Sequence, residues 1–258
     1  MTKSQEGLWI CAYDLHYPKM HKPTWNALLD FISKNKIAGF IFGGDQFDNE
    51  EISHHTDGQW LYRQVRSYKS NQEGFERDIL SPLAEVLTKT AKRIWIIGNH
   101  DRFCYDFIER NPQLQGVIER EEALQIAQRG WEIVPLGHAY RLGKLNVIHG
   151  EVLTGFGNQG PAYPSRKAVE LYAGNVLAGH THSPQQFTKV SPVVVSNKWQ
   201  GTIAPILGAT NPTYLRNRPT AWLCGFVIVE VRTDGNFNLY SVIVNNGTFS
   251  FGGIVYGG

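Results

Sequence analysis

Leu8-Trp9-Ile10-Cys11-Ala12-Tyr13 is an unbroken apolar run, and the polar triplet Asp14-Leu15-His16 follows it directly. Such a run is typical of a strand that is buried on both faces of a sheet. A helical pattern from Pro23 to about Lys34 comes next, followed by apolar strand patterns at Ala38 to Phe42 and Arg93 to Ile97. This βαβαβ rhythm predicts a mostly parallel sheet with right-handed crossovers.

The rest of the chain supplies a second set of strands. Strand and helix patterns occur near Trp131–Val134, Ala139–Leu142, Leu145–His149, Ser165–Tyr172 (helix) and Asn175–Ala178. From residue 185 onward the pattern is that of β-structure, with a hairpin turn at Asp234-Gly235. We therefore predict an α/β fold, a two-sheet α/β/β/α sandwich with mixed sheets, as a single domain over residues 1–258. The C-terminal β region, 185–250, is expected to complete the second sheet.

The composition is that of an ordinary globular protein, with 258 residues and a formal net charge of +2. This charge neither requires nor excludes a nucleic-acid partner. Cys11, Cys104 and Cys224 are odd in number and far apart, so we expect neither a disulfide framework nor a thiolate metal site. The N-terminus lacks the apolar core of a signal peptide, and the longest apolar run, Ala221 to Val229, is too short to span a bilayer. We therefore expect a cytoplasmic protein with no membrane partner.

Five short polar motifs interrupt the apolar framework, and each directly follows a predicted strand. They are Asp14-Leu15-His16, Gly44-Asp45-Gln46-Phe47-Asp48, Gly98-Asn99-His100-Asp101, His149-Gly150 and Gly179-His180-Thr181-His182. The carboxyl ends of the strands in an open α/β sheet face one crevice, so motifs that are far apart in the sequence can meet there.

The residue types in these motifs predict a metal site. Asp and Asn supply oxygen ligands and His supplies imidazole nitrogens, a set that suits Mn, Fe, Zn, Ni or Co. About seven candidate ligands exceed the need of one ion, which predicts two ions, about 3.5–4 Å apart and bridged by a carboxylate. Each motif alone also has an ordinary explanation. Asn99 or Asp101 would serve as a helix N-cap, and His149 would be a hydrogen-bonded core histidine.

The order and spelling of the motifs resemble the calcineurin-like metallophosphoesterase superfamily. Its signature is D-x-H, G-D-x-x-D, G-N-H-[ED], H and G-H-x-H, and all five parts occur here between Ile10 and His182. The C-terminal β region also resembles the tail of small phage-encoded members. The resemblance implies the two-sheet sandwich of that superfamily, in a small phage or bacterial member, with the host cytoplasm as the location if the chain is phage-encoded.

The resemblance also implies a role for each polar side chain in the motifs. One divalent ion would be bound by Asp14, His16 and His182, the other by Asn99, His149 and His180, and both by Asp45. Mn²⁺ is the expected metal, with Zn²⁺, Fe²⁺, Ni²⁺ and Co²⁺ as alternatives. A hydroxide that bridges the ions would attack phosphorus, while His100, oriented by Asp48, would act as general acid. Asp101 would hold its turn.

The substrate is expected to contact two loops near the motifs, residues 49–69 and 151–166. Basic and aromatic residues alternate in the first loop, a pattern that can bind a phosphate backbone and stack bases, although an amphipathic helix with solvated cations is the favoured explanation. The candidate substrate-binding residues are Arg102, His54, Arg63, Arg66 and Asn158.

Three functions remain open from the sequence. The first is a phosphodiesterase that acts on a nucleotide or a nucleic acid, which we favour because His100 can protonate a poor leaving group. The second is a phosphomonoesterase, including a protein phosphatase. The third is a non-catalytic, metal-stabilised binding scaffold. An edge strand in the C-terminal β region would allow an oligomer, but no residue requires one.

Overall fold

The computed structural model describes residues 5–53, 67–154, 162–193, 198–211 and 218–258. In these ranges the helices are α1 (Lys22–Lys34), α2 (Tyr68–Phe75), α3 (Ser81–Val86), α4 (Asn99–Arg110), α5 (Arg120–Ala123) and α6 (Pro164–Tyr172). A π-helical turn at Glu76–Leu80 joins α2 to α3, and 3-10 turns lie at Pro112–Leu114 and Glu151–Leu153. None of the described helices has the length and apolar character needed to cross a bilayer.

The described strands form two mixed sheets and a separate hairpin. They are β1 (Gly7–Ala12), β2 (Ile37–Phe42), β3 (Lys92–Ile96), β4 (Trp131–Val134), β5 (Tyr140–Leu142), β6 (Leu145–Val147), β7 (Asn175–Ala178), β8 (Gln185–Val190), β9 (Lys198–Ile203), β10 (Gly225–Val231), β11 (Phe237–Ile243), β12 (Thr248–Phe251) and β13 (Ile254–Gly257).

The first sheet has the strand order β11-β10-β1-β2-β3-β4. Strands β1 to β4 are parallel, whereas β10 is antiparallel to β1 and β11 is antiparallel to β10. β1 therefore lies inside the sheet, where Ile10 is opposite Phe40 on one side and Ile228 on the other. The parallel run is the one that the alternation of strands and helices predicted.

The second sheet has the order β5-β6-β7-β9-β8. Its central strands β6, β7 and β9 are parallel, and the edge strands β5 and β8 are antiparallel to their neighbours. The second sheet therefore has an antiparallel strand on each side of its parallel centre, whereas in the first sheet β10 and β11 adjoin the parallel strands on one side and β4 is the other edge.

Successive residues of β1 point into two different apolar cores. Trp9 and Cys11 belong to the core between the two sheets, which also contains Leu177 of β7. Ile10 belongs to the core on the opposite face, which contains Phe31 of α1. A third, smaller core lies between the second sheet and α6. The layers are helix, sheet, sheet and helix, so the predicted α/β sandwich with mixed sheets is confirmed.

The C-terminal β region does not add to the second sheet as a whole, which corrects the sequence-based expectation. Of the strands described in this region, β8 and β9 join that sheet, β10 and β11 extend the first sheet, and β12 and β13 pair with each other. The physical reason is burial. Residues Gly225 to Val229 of β10 are buried at every position, which suits a strand covered on both faces beside β1.

Gly201 provides a test of the contact between β9 and α6. A Cβ atom at this position would lie 2.0 Å from the carbonyl oxygen of Ser165 and 2.8 Å from Cγ2 of Val169, both in α6. We expect Gly201→Ala to lower the free energy of unfolding by about 1–3 kcal/mol through overpacking. Urea denaturation measures the change.

Gly174→Ala is the matched control, because the nearest atom to its Cβ would be 3.5 Å away, an ordinary contact distance. Equal losses of stability in the two variants would show that α6 is not packed against β9 in this way.

Candidate metal centre

The polar motifs that follow β1, β2 and β7 share an unusual backbone conformation. Asp14, His16, Asp45, His180 and His182 all have positive φ, between 48° and 65°. Non-glycine residues rarely adopt this left-handed region, and each such residue costs of order 1–3 kcal/mol unless its surroundings hold it. Five of the seven predicted ligands are thus held in strained turns at the strand ends, a pattern that is concentrated at functional sites.

Hydrogen bonds between the motifs hold these turns together. The amide of Asp14 donates to the carbonyl of Gly44 at 3.1 Å, and the amide of His16 donates to the carbonyl of Asp45 at 2.9 Å. The amide of His180 donates to Oδ2 of Asp14 at 2.9 Å. The loops after β1, β2 and β7 therefore form one connected unit.

The first cluster of ligand atoms consists of Asp14, His16 and His182. Nε2 of His182 is 3.5 Å from Oδ1 of Asp14 and 3.2 Å from Nε2 of His16. All three residues are buried. The ligand atoms lie within 4.8 Å of one another, so a single ion could contact all of them.

The second cluster consists of Asp45, His149 and His180. Nε2 of His149 is 3.3 Å from Oδ2 of Asp45 and 2.9 Å from Oδ1 of Asn99. Asp45 also lies beside the first cluster, because its Oδ2 is 3.9 Å from Nε2 of His16. The structure thus brings all seven predicted ligands to one place, with Asp45 between the two groups.

Gly44 allows this close approach. Its φ is +103°, and a Cβ atom there would lie 2.2 Å from Nδ1 of His149. A side chain at this position would therefore displace His149 from Asp45.

The chemistry of these residues fits divalent cations. Two imidazole Nε2 atoms of the first cluster face each other, and Nδ1 of His182 has no hydrogen-bond partner among the described residues. Buried carboxylates such as Asp14 and Asp45 are costly unless a positive charge compensates them. Oxygen and nitrogen donors without sulfur suit hard to borderline divalent metals. The described residues therefore include His and Asp groups that could bind metal.

The carboxylates dominate the electrostatics of the site. Burial would lower the pKa of His149, but the charges of Asp45 and Asp14 raise it to about 10. Burial and the charge of His149 lower the pKa of His180 to about 4. Burial would raise the pKa of Asp45, yet the neighbouring imidazoles hold it well below its usual value. The carboxylates therefore remain ionised at neutral pH and favour cations at this position.

His100 lies next to the candidate ligands, and Asp48 contacts its ring. Nδ1 of His100 is 3.2 Å from Oδ1 of Asp48 and 3.0 Å from the carbonyl oxygen of the same residue. The same Oδ1 is 3.2 Å from Nδ1 of His16. Burial would lower the pKa of His100, but the charges of Asp45 and Asp48 outweigh this effect and raise it to about 9. Asp48 thus connects a candidate ligand to the candidate general acid.

Asp101 holds the turn that starts α4, as expected. Its carboxylate accepts hydrogen bonds from the amides of Gly98 at 2.9 Å and Phe47 at 3.2 Å. It therefore ties the third motif to the second.

Two residues near the site were missed by the sequence interpretation. Nζ of Lys19 is 2.5 Å from Oδ2 of Asp48 and also pairs with Glu50. The ring of Trp222 contacts the ring of His182 edge-on, with the centroids 4.3 Å apart. Lys19 lies close to His16 in sequence, but no pattern in the sequence indicates its pairing with Asp48 or the position of Trp222.

The predicted substrate contacts are only partly within the described residues. Arg102 lies on α4, where its exposed side chain donates to Oδ1 of Asp106 at 3.0 Å. The other four candidates, His54, Arg63, Arg66 and Asn158, lie outside the described residues.

Comparison with solved structures finds several chains that are similar to this one. Vacuolar protein sorting 29 from Cryptosporidium parvum is similar over 95% of each chain, with a TM-score of 0.50 and 13% sequence identity. Wild-type vacuolar protein sorting 29 from Entamoeba histolytica, complexed with Zn²⁺, has a TM-score of 0.46 and 12% identity over 94% of this chain and 96% of the other. A conserved uncharacterised protein from Streptococcus pneumoniae, titled a predicted phosphoesterase, has a TM-score of 0.36 and 13% identity over 92% and 98%.

No family model matches the sequence, and no curated protein does. At 13% identity, the likeness to the Cryptosporidium protein shows a shared fold and nothing about function.

Metal binding to the two clusters can be measured through stability. A ligand that binds only the folded state stabilises it by about 2.7 kcal/mol at 100 times its Kd. We expect Mn²⁺ or Zn²⁺ to raise the unfolding temperature of the wild type. Asp45→Asn should reduce this rise in unfolding temperature, because we expect it to lower the metal affinity at least about 10-fold. Substitution of a residue that only hydrogen-bonds to a metal ligand already lowers metal affinity by about this factor.

Asp106→Asn is the control, because Asp106 is a partly exposed carboxylate on α4 whose hydrogen bond joins it to Arg102. The assignment of Asp45 would be wrong if both variants kept the wild-type shift.

Proposed function

We propose that this protein is a dinuclear, metal-dependent phosphoesterase that hydrolyses phosphodiesters of nucleotides or nucleic acids. The observation that carries the proposal is the position of His100 beside the two clusters, with a ring nitrogen within 4.8 Å of ligand atoms of His16 in the first cluster and Asp45 in the second. Ligands for two cations and an adjacent imidazole held by a carboxylate are the groups that metal-assisted hydrolysis with a general acid requires. The five motifs of the sequence support the same reading.

The proposed ligands divide into two sets with one member in common. The first ion would be held by Asp14, His16 and His182, the second by Asn99, His149 and His180, and both by Asp45. Mn²⁺ is the metal that we propose, with Zn²⁺, Fe²⁺, Ni²⁺ and Co²⁺ as alternatives that the same oxygen and imidazole donors suit. When bound, divalent cations supply Lewis acidity that neutralises phosphate charge and lowers the pKa of an attacking water.

His100 supplies the proton in this proposal. Its Nδ1 faces Oδ1 of Asp48 at 3.2 Å, so the carboxylate fixes the ring and stabilises its protonated form. About a quarter of its side chain is exposed (27%), so the ring is accessible from the crevice. A proton held there can be given to the leaving oxygen of the ester. An alkoxide is a poor leaving group, so this assistance favours a diester substrate.

The preference for diesters can be tested with two chromogenic esters. With Mn²⁺ we expect a higher kcat/KM for bis(p-nitrophenyl) phosphate than for p-nitrophenyl phosphate. A strong preference for the monoester would instead support a phosphomonoesterase. If neither ester were hydrolysed with Mn²⁺, Zn²⁺, Ni²⁺ or Co²⁺ although the metal binds, a metal-stabilised scaffold would replace the enzymatic function.

The role of His100 can be tested by substitution. We expect His100→Ala to lower kcat by about 10²–10⁴-fold, the usual contribution of general acid catalysis. The loss should be smaller for a p-nitrophenyl leaving group than for phenyl, because the better leaving group needs less protonation. Steady-state kinetics with methyl p-nitrophenyl phosphate and methyl phenyl phosphate measure both effects.

His138→Ala is the matched control, since His138 is exposed and its ring contacts only the carbonyl of Leu136 among the hydrogen bonds described. Unchanged turnover in His100→Ala would rule out its role as general acid.

A further inference from the structure

Arg120, the first residue of α5, is a buried cation close to the proposed active site. Only 1% of its surface is exposed. Its guanidinium carbon lies 3.4 Å from the ring centroid of Tyr68 and 4.2 Å from that of Phe47. Phe47 belongs to the motif that carries Asp45 and Asp48, so the guanidinium packs directly against the loop after β2.

The hydrogen bonds of Arg120 point to the same loop. Nε and one terminal nitrogen donate to Oδ1 of Asn49 at 3.2 and 2.9 Å, and the latter nitrogen also donates to Oε1 of Glu51 at 2.7 Å. The other terminal nitrogen donates to the carbonyl of Tyr68 at 2.9 Å. A buried guanidinium is tolerated only when its donors are paired, and here most of them are paired to residues 49–51.

Asn49 connects Arg120 to His100 through hydrogen bonds. Its Nδ2 donates to the carbonyl oxygen of His100 at 3.0 Å, while the amide of His100 donates to Oδ1 of Asp45 at 2.8 Å. Both backbone polar groups of His100 are therefore held, one by a proposed metal ligand and the other through Asn49. Asn49 also has a φ of +51°, a left-handed conformation that needs such support.

We infer that Arg120 is a positioning residue, which sets the placement of His100 relative to the metal ligands through Asn49. This inference rests on the proposed function, because its consequence is the geometry of proton transfer. The guanidinium fixes the side-chain amide of Asn49 and the course of residues 47–51. These in turn fix the His100 backbone and the Asp48 carboxylate that orients its ring.

The test is a double-mutant cycle between Arg120 and His100. Arg120→Met keeps the apolar packing of the side chain and removes the hydrogen bonds. We expect it to lower kcat for methyl phenyl phosphate with Mn²⁺ by about 10–100-fold, the scale of a displacement of about 1 Å. KM should change little, and the loss for methyl p-nitrophenyl phosphate should be smaller. In the His100→Ala background, Arg120→Met should change kcat by less than about 3-fold. The reason is that the effects of substituting two residues that act as a unit are not additive.

Two further variants separate positioning from folding. Asn49→Gly removes the amide that holds His100, and glycine accepts the positive φ without strain. Asn49→Gly should show the kinetic pattern that we expect of Arg120→Met. It therefore keeps the test available if Arg120→Met fails to fold. Arg129→Met is the control, because Arg129 is a partly exposed arginine that bonds Glu76 and the carbonyl of Leu124; it should leave turnover unchanged.

A measurement without added metal or substrate tests the positioning itself. Hydrogen exchange in residues 98–103 should be faster in Asn49→Gly and Arg120→Met than in the wild type or Arg129→Met. The inference would be overturned if Arg120→Met lowered kcat by the same factor in the His100→Ala background as in the wild type. It would also be overturned if hydrogen exchange in residues 98–103 were unchanged in both variants. An inactive wild type would refute the proposed function instead, and the exchange data would still decide whether Arg120 holds the His100 turn.

Discussion

The buried carboxylate of Asp45 is the constraint to which the surrounding structure is adapted. The residue is 1% exposed, and its Oδ2 faces imidazole nitrogens of both clusters while its Oδ1 accepts the amide of His100. A charge in such a place is costly unless it is compensated from several sides. The backbone at Gly98 lies very close to this carboxylate, since a Cβ atom at Gly98 would be 2.1 Å from Oδ1 of Asp45. The candidate ligands, the start of α4 and the turn at Gly98 are therefore all arranged around this carboxylate.

The topology explains how residues that are far apart in sequence reach this carboxylate. His16 and His182 are 166 positions apart, yet their Nε2 atoms are 3.2 Å apart. β1, β2 and β3 are parallel in one sheet, and β6 and β7 are parallel in the other, so polar residues just beyond each strand gather at the same end of the sandwich. Residues Trp9 to Ala12 of β1 are buried, and Trp9 and Cys11 lie in the core between the two sheets, directly before the turn that carries Asp14 and His16.

Much of this arrangement could be predicted from the sequence because its signals are local. An apolar run followed directly by Asp14 and His16 indicates a buried strand and a polar turn without reference to the rest of the chain. The destination of β10 could not be predicted in the same way. An apolar strand can join either sheet, and pairing with β1 is a long-range choice. Arg120 was missed for a similar reason, since its partner Asn49 is 71 positions away and a single arginine carries no local pattern of burial. The candidate ligands are thus visible in the sequence because they stand in local motifs, whereas the long-range contact of Arg120 with Asn49 is not.

The central claim is that two cations share Asp45, and anomalous X-ray diffraction from crystals soaked in Mn²⁺ tests it most directly. The account predicts two anomalous peaks about 3.5–4 Å apart, both within coordination distance of the Asp45 carboxylate. One peak should lie beside His16 and His182, and the other beside His149 and His180. Peaks remote from Asp45, or none at saturating Mn²⁺ and Zn²⁺, would contradict the account.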